Sequence, residues 1–321
     1  MKAVLVALCA IVATLTGSAF GQAWPARTVR IVAPFAPGGT ADTLGRIVAA
    51  RMTESLGQPV VVENRPGAGG VLGSDLVSKG APDGYLLVVS GVASHVIAPA
   101  LAAKPPFDPV RDFTHIALLG GPPAVFGVHP SLPAKDLRAF VALARTKPKE
   151  LVYGSPGNGT QGHLMAEVFQ QAAKIRIVHA PYRGASIAVV DIVAGHIHAI
   201  STTLTTASAQ IRAGRIRALA ISSAARLPDW SDVPTFQEAG YRDVVGTVWF
   251  SLSGPPGMPA DIVARLNTEV RRILQLPDVR ERLRGDGIGP NQLDARAFTE
   301  FMSAEIKRWT PIVRASGARA D

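Results

Sequence analysis

Two segments of this 321-residue chain combine residue types that suit one task, holding a small anion. The first is Pro34-Phe35-Ala36-Pro37-Gly38-Gly39-Thr40-Ala41-Asp42. The second is Tyr153-Gly154-Ser155-Pro156-Gly157-Asn158-Gly159-Thr160-Gln161-Gly162-His163. Each leaves a short apolar run and opens a helical pattern. Glycines let backbone N–H groups approach a guest with no Cβ in the way. A helix start adds unpaired N–H groups and a partial positive charge, so the combination is an anion site. Thr40 can donate its hydroxyl to the guest or cap its own helix, and Asp42 can do ordinary first-turn dipole work. In the second loop the N–H groups of residues 157–160, with the Ser155 and Thr160 hydroxyls, are placed to face a second pair of anionic oxygens. His163 either reaches the guest or packs.

Other chemistries find less support. Gly157, Gly159 and Gly162 form a Gly-x-Gly-x-x-Gly spacing, the dinucleotide fingerprint, but His179 stands where an acidic residue is wanted; Arg183 is the nearby group for a 2′-phosphate. There is no Walker lysine and no Gly-x-Ser-x-Gly elbow, since Tyr153 precedes Ser155 by two. His196 and His198 share a side of a strand with no third ligand in view. The lone cysteine, Cys9, lies in the leader segment, which excludes thiolate chemistry from the mature chain.

The elements that must position these loops alternate short strands with helices, which reads as α/β with mainly parallel sheets. Strands are expected at 28–33, 59–63, 85–89, 124–128, 151–153, 176–179, 197–201 and 216–221. Helices are expected at 40–56, 135–146, 160–173, 185–193 and 204–213, with a long arginine-rich helical region at the end. The rhythm restarts after Gly120-Gly121-Pro122-Pro123, so two units are expected: 24–122 plus 250–321 as the first, 123–249 as the second. Residues 1–23 carry Lys2, an apolar run and small residues before Trp24, the grammar of a cleaved signal peptide, which predicts export to the periplasm. Hydrophobic residues make up 47% of the chain, enough for two cores, whereas aromatics at 6% argue against a base-stacking groove. The net charge of +9 includes many arginines interleaved with acids near the C-terminus, a solvated helix face rather than a nucleic-acid stripe.

The chain resembles the Bug family, the extracytoplasmic receptors of tripartite tricarboxylate transporters, over residues 24–309. The likeness is carried by Val32 to Asp42, Val62-Glu63-Asn64-Arg65-Pro66-Gly67-Ala68-Gly69-Gly70 and Ala81-Pro82-Asp83-Gly84-Tyr85. It continues through Tyr153 to Leu164, Ala180-Pro181-Tyr182-Arg183-Gly184, Arg217-Ala218-Leu219-Ala220, Asp232-Val233-Pro234-Thr235 and Glu238-Ala239-Gly240. It implies two Rossmann-like domains in a type II-like Venus-flytrap, closing on a carboxylate with no cofactor and no catalysis. It points to Phe35, Ala36, Gly38, Gly39, Thr40 and Asp42 on one side, to Ser155, Asn158, Gly159, Thr160 and His163 on the other, and to Tyr182, Gly184 and Ala185 near the rim. Similar proteins often carry an aspartate where this chain has Thr202, so a non-amino carboxylate is the expected guest. The implied partners are that acid and the membrane subunits of a transporter; nucleic acid is not, and a monomer is expected. The alternatives are an exported NADP-dependent oxidoreductase and a sensory partner of a membrane kinase.

Overall fold

The computed structural model describes residues 24–102, 104–246, 248–289 and 293–315; the expected signal peptide at 1–23 lies outside them. The chain folds into two five-stranded sheets. The first contains β1 (Val29–Ala33), β2 (Val60–Asn64), β3 (Leu86–Gly91), β4 (Thr114–Gly120) and β10 (Phe250–Gly254), in the order β2-β1-β3-β10-β4. The second contains β5 (Ala124–Val128), β6 (Val152–Ser155), β7 (Val178–Pro181), β8 (Ala199–Thr203) and β9 (Arg217–Ile221), in the order β7-β6-β8-β5-β9. The two orders are one permutation used twice. In each sheet a single strand, β10 or β5, runs antiparallel to its neighbours. Both are the strands by which the chain enters a sheet after crossing from the other. The α/β fold class expected from the alternating pattern is the one observed.

Helices cover the sheets for the reasons their sequences suggest. Helix α1 (Thr40–Leu56) buries Leu44, Val48 and Met52 and stops at Gly57, whose left-handed backbone donates to the Thr53 carbonyl. Helix α2 (Val71–Ser78) follows the glycine turn after β2, and α3 (Ala98–Leu101) continues a π-turn at Ala93–Ile97. The second sheet carries α4 (Leu137–Thr146), α5 (Gln161–Ala173), α6 (Ala185–Val193) and α7 (Leu204–Arg212). After β10, α8 (Ala260–Ile273), α9 (Pro277–Gly285) and α10 (Ala295–Ala315) follow, and both α8 and α10 pack on β4.

Two strands, β4 and β10, stand where the sequence reading assigned none. β10 hides because its serines break the apolar run. Ser251 and Ser253 are fully buried and bond to Ser90 at 2.6 and 2.9 Å, with His115 Nδ1 3.1 Å from Ser253. A polar alternation that normally marks a half-exposed strand here satisfies itself inside a central one.

The two crossovers touch. Val248 N–H donates to the Pro122 carbonyl at 3.0 Å, and the Ser222 hydroxyl, 2.5 Å from the Gly246 carbonyl, accepts from Ala124 N–H at 2.9 Å. A Cβ added to Gly121 would sit 1.5 Å from the Val248 carbonyl oxygen. Backbone cannot yield as a flexible side chain does, so Gly121→Ala should destabilise by about 3 kcal/mol or more. Gly289→Ala, with open space around it, should be neutral. Urea unfolding of the two variants checks this.

Candidate functional site

Three helices begin at one cavity between the lobes. Its volume is about 50 Å³. Thr40 and Ala41, the first residues of α1, line it from one side; Gln161 and Gly162 of α5 and Ala185 of α6 line it from the other. Phe35, Gly39 and Ala93 of the first lobe, Pro156 and Thr160 before α5, Thr203 at the end of β8, and Val248 and Phe250 complete the wall. None of the described residues on that wall is titratable. The caps of α1 and α6 are Gly39 and Gly184, which offer no side chain to the first-turn N–H groups. Those donors, with about half a positive charge per helix end, are what the wall can present to a guest. The loops lie beyond the carboxyl ends of β1 and β6, beside the strand-order reversal of each sheet, where open α/β sheets bind ligands.

The two lobes meet around this cavity through neutral groups. Thr40 Oγ1 lies 2.7 Å from Thr203 Oγ1 and 3.2 Å from Thr206 Oγ1, and the last two are 2.9 Å apart. Ser186 donates to the Pro37 carbonyl at 2.7 Å. A Cβ on Gly184 would come within 2.6 Å of Ala36, and one on Gly69 within 3.0 Å of the Asn158 carbonyl. Gly38 lies near Ser186, and Gly159 near Ala98 and Leu101. The loops thus face each other, and Phe35, Gly39, Thr40, Thr160 and Ala185 of the expected set line the shared space.

Several expected side chains are instead committed to the protein itself. The Asp42 carboxylate accepts from Gly38 N–H at 3.0 Å, Arg46 Nε at 3.0 Å and Asn64 Nδ2 at 2.9 Å. Burial alone would raise its pKa, but these bonds outweigh it and hold the group below the usual carboxylate range. Asp42 therefore shapes the first loop. Ser155 pairs with His179 Nε2 at 2.7 Å and accepts from Gly157 N–H at 3.1 Å. Thr160 caps α5, accepting from His163 N–H at 3.4 Å and donating to the Gly157 carbonyl at 2.7 Å. Tyr182 donates to Asp191 at 2.6 Å; burial first, then that bond, pushes its phenol up to about 12. Thr202 is fully buried in β8, its hydroxyl without a partner among the described residues. The strand's alternation places Thr203, and not Thr202, on the cavity wall.

His163 packs. Its ring stacks on His179 at 4.1 Å and 10°, and its Nδ1 accepts from Gly159 N–H at 3.3 Å. His179 in turn stacks on Tyr153 at 4.8 Å. Burial, with the charge of His163 second, pushes His179 down to about 3. The glycine spacing also has a packing cause: a Cβ on Gly162 would lie 2.3 Å from the Ser201 carbonyl, so α5 needs glycine to approach β8. His198 Nδ1 accepts from Val152 N–H at 3.1 Å, whereas His196 lies 3.4 Å from Asp191, so the two do different jobs. Among the described residues no group of three His, Cys, Asp or Glu could hold a metal ion.

Residues 44–318 match the family described as "Tripartite tricarboxylate transporter family receptor". The chain belongs to that receptor family. It is 36% identical to protein BugT of Bordetella pertussis, over 92% of this chain and 91% of the relative. The fold is similar to R. palustris Rpa4515 with adipate, at a TM-score of 0.89 and 33% identity over 92% of this chain and 99% of that one. MatC (Rpa3494) from Rhodopseudomonas palustris with bound malate aligns at a TM-score of 0.85 and 34% identity, over 90% and 100%. The receptor is accordingly a two-lobed solute-binding protein of the periplasmic type. Among its described residues no helix is long and apolar enough to cross a membrane.

The sequence alone assigned no role to Gln161, Thr203 or Thr206. Thr203 and Thr206 carried a usable signal, since i, i+3 spacing across a helix start puts two hydroxyls on one face. The stacked His179 supplies a pH prediction. Its folded pKa lies below the unfolded value of about 6.5, so the unfolded chain binds the proton first and stability is lost as pH falls from about 6.5. His115, pushed down to about 4 by burial, acts in the same sense. In His179→Gln the decline between pH 6 and 4 should be shallower by at most about 1.4 kcal/mol per pH unit. Urea midpoints across that range measure it.

Proposed function

We propose that this receptor captures a small organic acid without an ammonium group in the periplasm and passes it, unchanged, to the membrane subunits of a tripartite tricarboxylate transporter. One observation carries the reading: three helix N-termini converge on a cavity whose wall holds no charged side chain. A carboxylate there gains backbone donors and helix dipoles from both lobes. An ammonium would find no acid, because Asp42 is occupied by Gly38, Arg46 and Asn64. Two similar structures carry adipate and malate in their names, which agrees in ligand class.

The cavity is small while the lobes are together, so a guest with a carbon chain enters when they part and is held when they close around it. The chain entries at 121–123 and at Gly246, Val248 and Trp249 are the hinge in this reading, with lobes of 24–122 plus 250–321 and of 123–249. Beside the cavity Arg284 pairs with Asp229 and Arg212 donates to the Gly285 carbonyl, but around the cavity itself the lobes are held by neutral hydroxyl bonds, each worth about 1 kcal/mol net. They give way readily, and the guest shifts the open–closed balance by binding the closed form better.

A thermal-shift panel tests the reading. Mono- and dicarboxylates should raise the melting temperature, and aspartate and glutamate should not. Best stabilisation by the amino acids would overturn the ligand class; no response to any organic acid would overturn the function. Thr40→Val, which removes the central inter-lobe hydroxyl, should weaken the best acid about five- to tenfold by calorimetry. The mature protein purified from the periplasm should begin at Trp24 by mass spectrometry.

A further inference from the structure

One residue that lines the cavity, Gln161, carries an amide that nothing answers. Gln161 is only 2% exposed, and both its Nε2 and its Oε1 are buried without a hydrogen-bond partner among the described residues. It is the first residue of α5, a 13-residue helix whose N-terminus opens into the cavity. Its side chain runs toward the returning crossover, where Nε2 lies 3.3 Å from the place a Cβ on Gly246 would take. A buried carboxamide with neither donor nor acceptor satisfied is costly, and a leucine of similar size would remove that cost. Its presence at the cavity wall makes sense when a guest supplies the partner.

The chemistry of the amide narrows the guest. Nε2 donates and Oε1 accepts. A carboxylate satisfies only the donor and sets its own negative oxygens against Oε1. A hydroxyl both accepts and donates, so it satisfies the pair. Resting on the carboxylate reading above, we infer that Gln161 is a specificity-determining contact and that the guest is a hydroxy acid, its carboxylate held by the helix starts and its hydroxyl by the Gln161 amide.

Calorimetry and thermal shift with two matched pairs, butyrate with 2-hydroxybutyrate and succinate with malate, test this on the wild type and on Gln161→Leu. The wild type should prefer the hydroxylated member of at least one pair by about tenfold, and in Gln161→Leu that ratio should collapse toward one. Ligand-free Gln161→Leu should melt at the wild-type temperature or above it, because an unpaired buried amide has gone. Gln161→Asn, which keeps donor and acceptor on a shorter stem, should retain part of the preference. Equal affinities within both pairs, or an undiminished preference in Gln161→Leu, would overturn the inference and leave the carboxylate reading standing. A lower melting temperature with uniform loss of all four acids would make Gln161 structural and overturn it as well. If none of the four acids binds the wild type, and no other organic acid does, the carboxylate reading itself fails.

Discussion

Taking a carboxylate out of water costs several kcal/mol unless something replaces its hydration. Here the replacement available is the backbone. Gly39 and Gly184 leave the first-turn donors of α1 and α6 uncapped, and α5 opens beside them at the same cavity. A lysine or arginine could do the same task more strongly, but it would present a fixed charge when the cleft is empty. Helix ends present donors and dipoles that stay solvated until the lobes close. The rest of the molecule follows from bringing three such ends together.

That convergence needs two sheets of matching strand order facing each other across the cleft. Each lobe supplies strand-end loops on its side, and each receives the chain back on one antiparallel strand. The crossovers are packed at backbone distance, with Gly121 against Val248. Trp249, just beyond, is tied down by Glu305, which accepts from the indole N–H groups of both Trp249 and Trp309 at 2.8 and 2.9 Å. One side of the joint is thus anchored to the C-terminal helix, while the cleft itself is bridged by threonine and serine hydroxyls. A firm joint, with hydroxyl bridges at the cavity and the Arg284–Asp229 pair beside it, suits a device that opens and closes.

The site has an inner economy of polar groups. Asp42, Ser155, Thr160, His163 and Tyr182 are all spent on shaping the loops, so they set the direction of backbone donors and leave the cavity uncharged. Preorganising a binding surface in this way reduces what must be ordered when a guest arrives. Gln161, unanswered at the wall, stands apart from this pattern.

Local pattern was enough for the α/β class, most strands, the helix spans and the two loops, because apolar periodicity and glycine-rich strand ends are written in short windows of sequence. The family likeness was legible for the same reason. What local pattern could not convey was who pairs with whom. Ser251 and Ser253 read as loop until Ser90 and His115 arrive from distant strands to satisfy them. Thr202 and Thr203 are indistinguishable by type, and only the register of β8 against β5 turns one inward and the other to the cleft. Asp42 and Ser155 looked free to meet a guest until Asn64 and His179 came within bonding distance. A hydroxyl or carboxylate shows its type in the sequence, but its vacancy is a property of its neighbours, and tertiary folding chooses those.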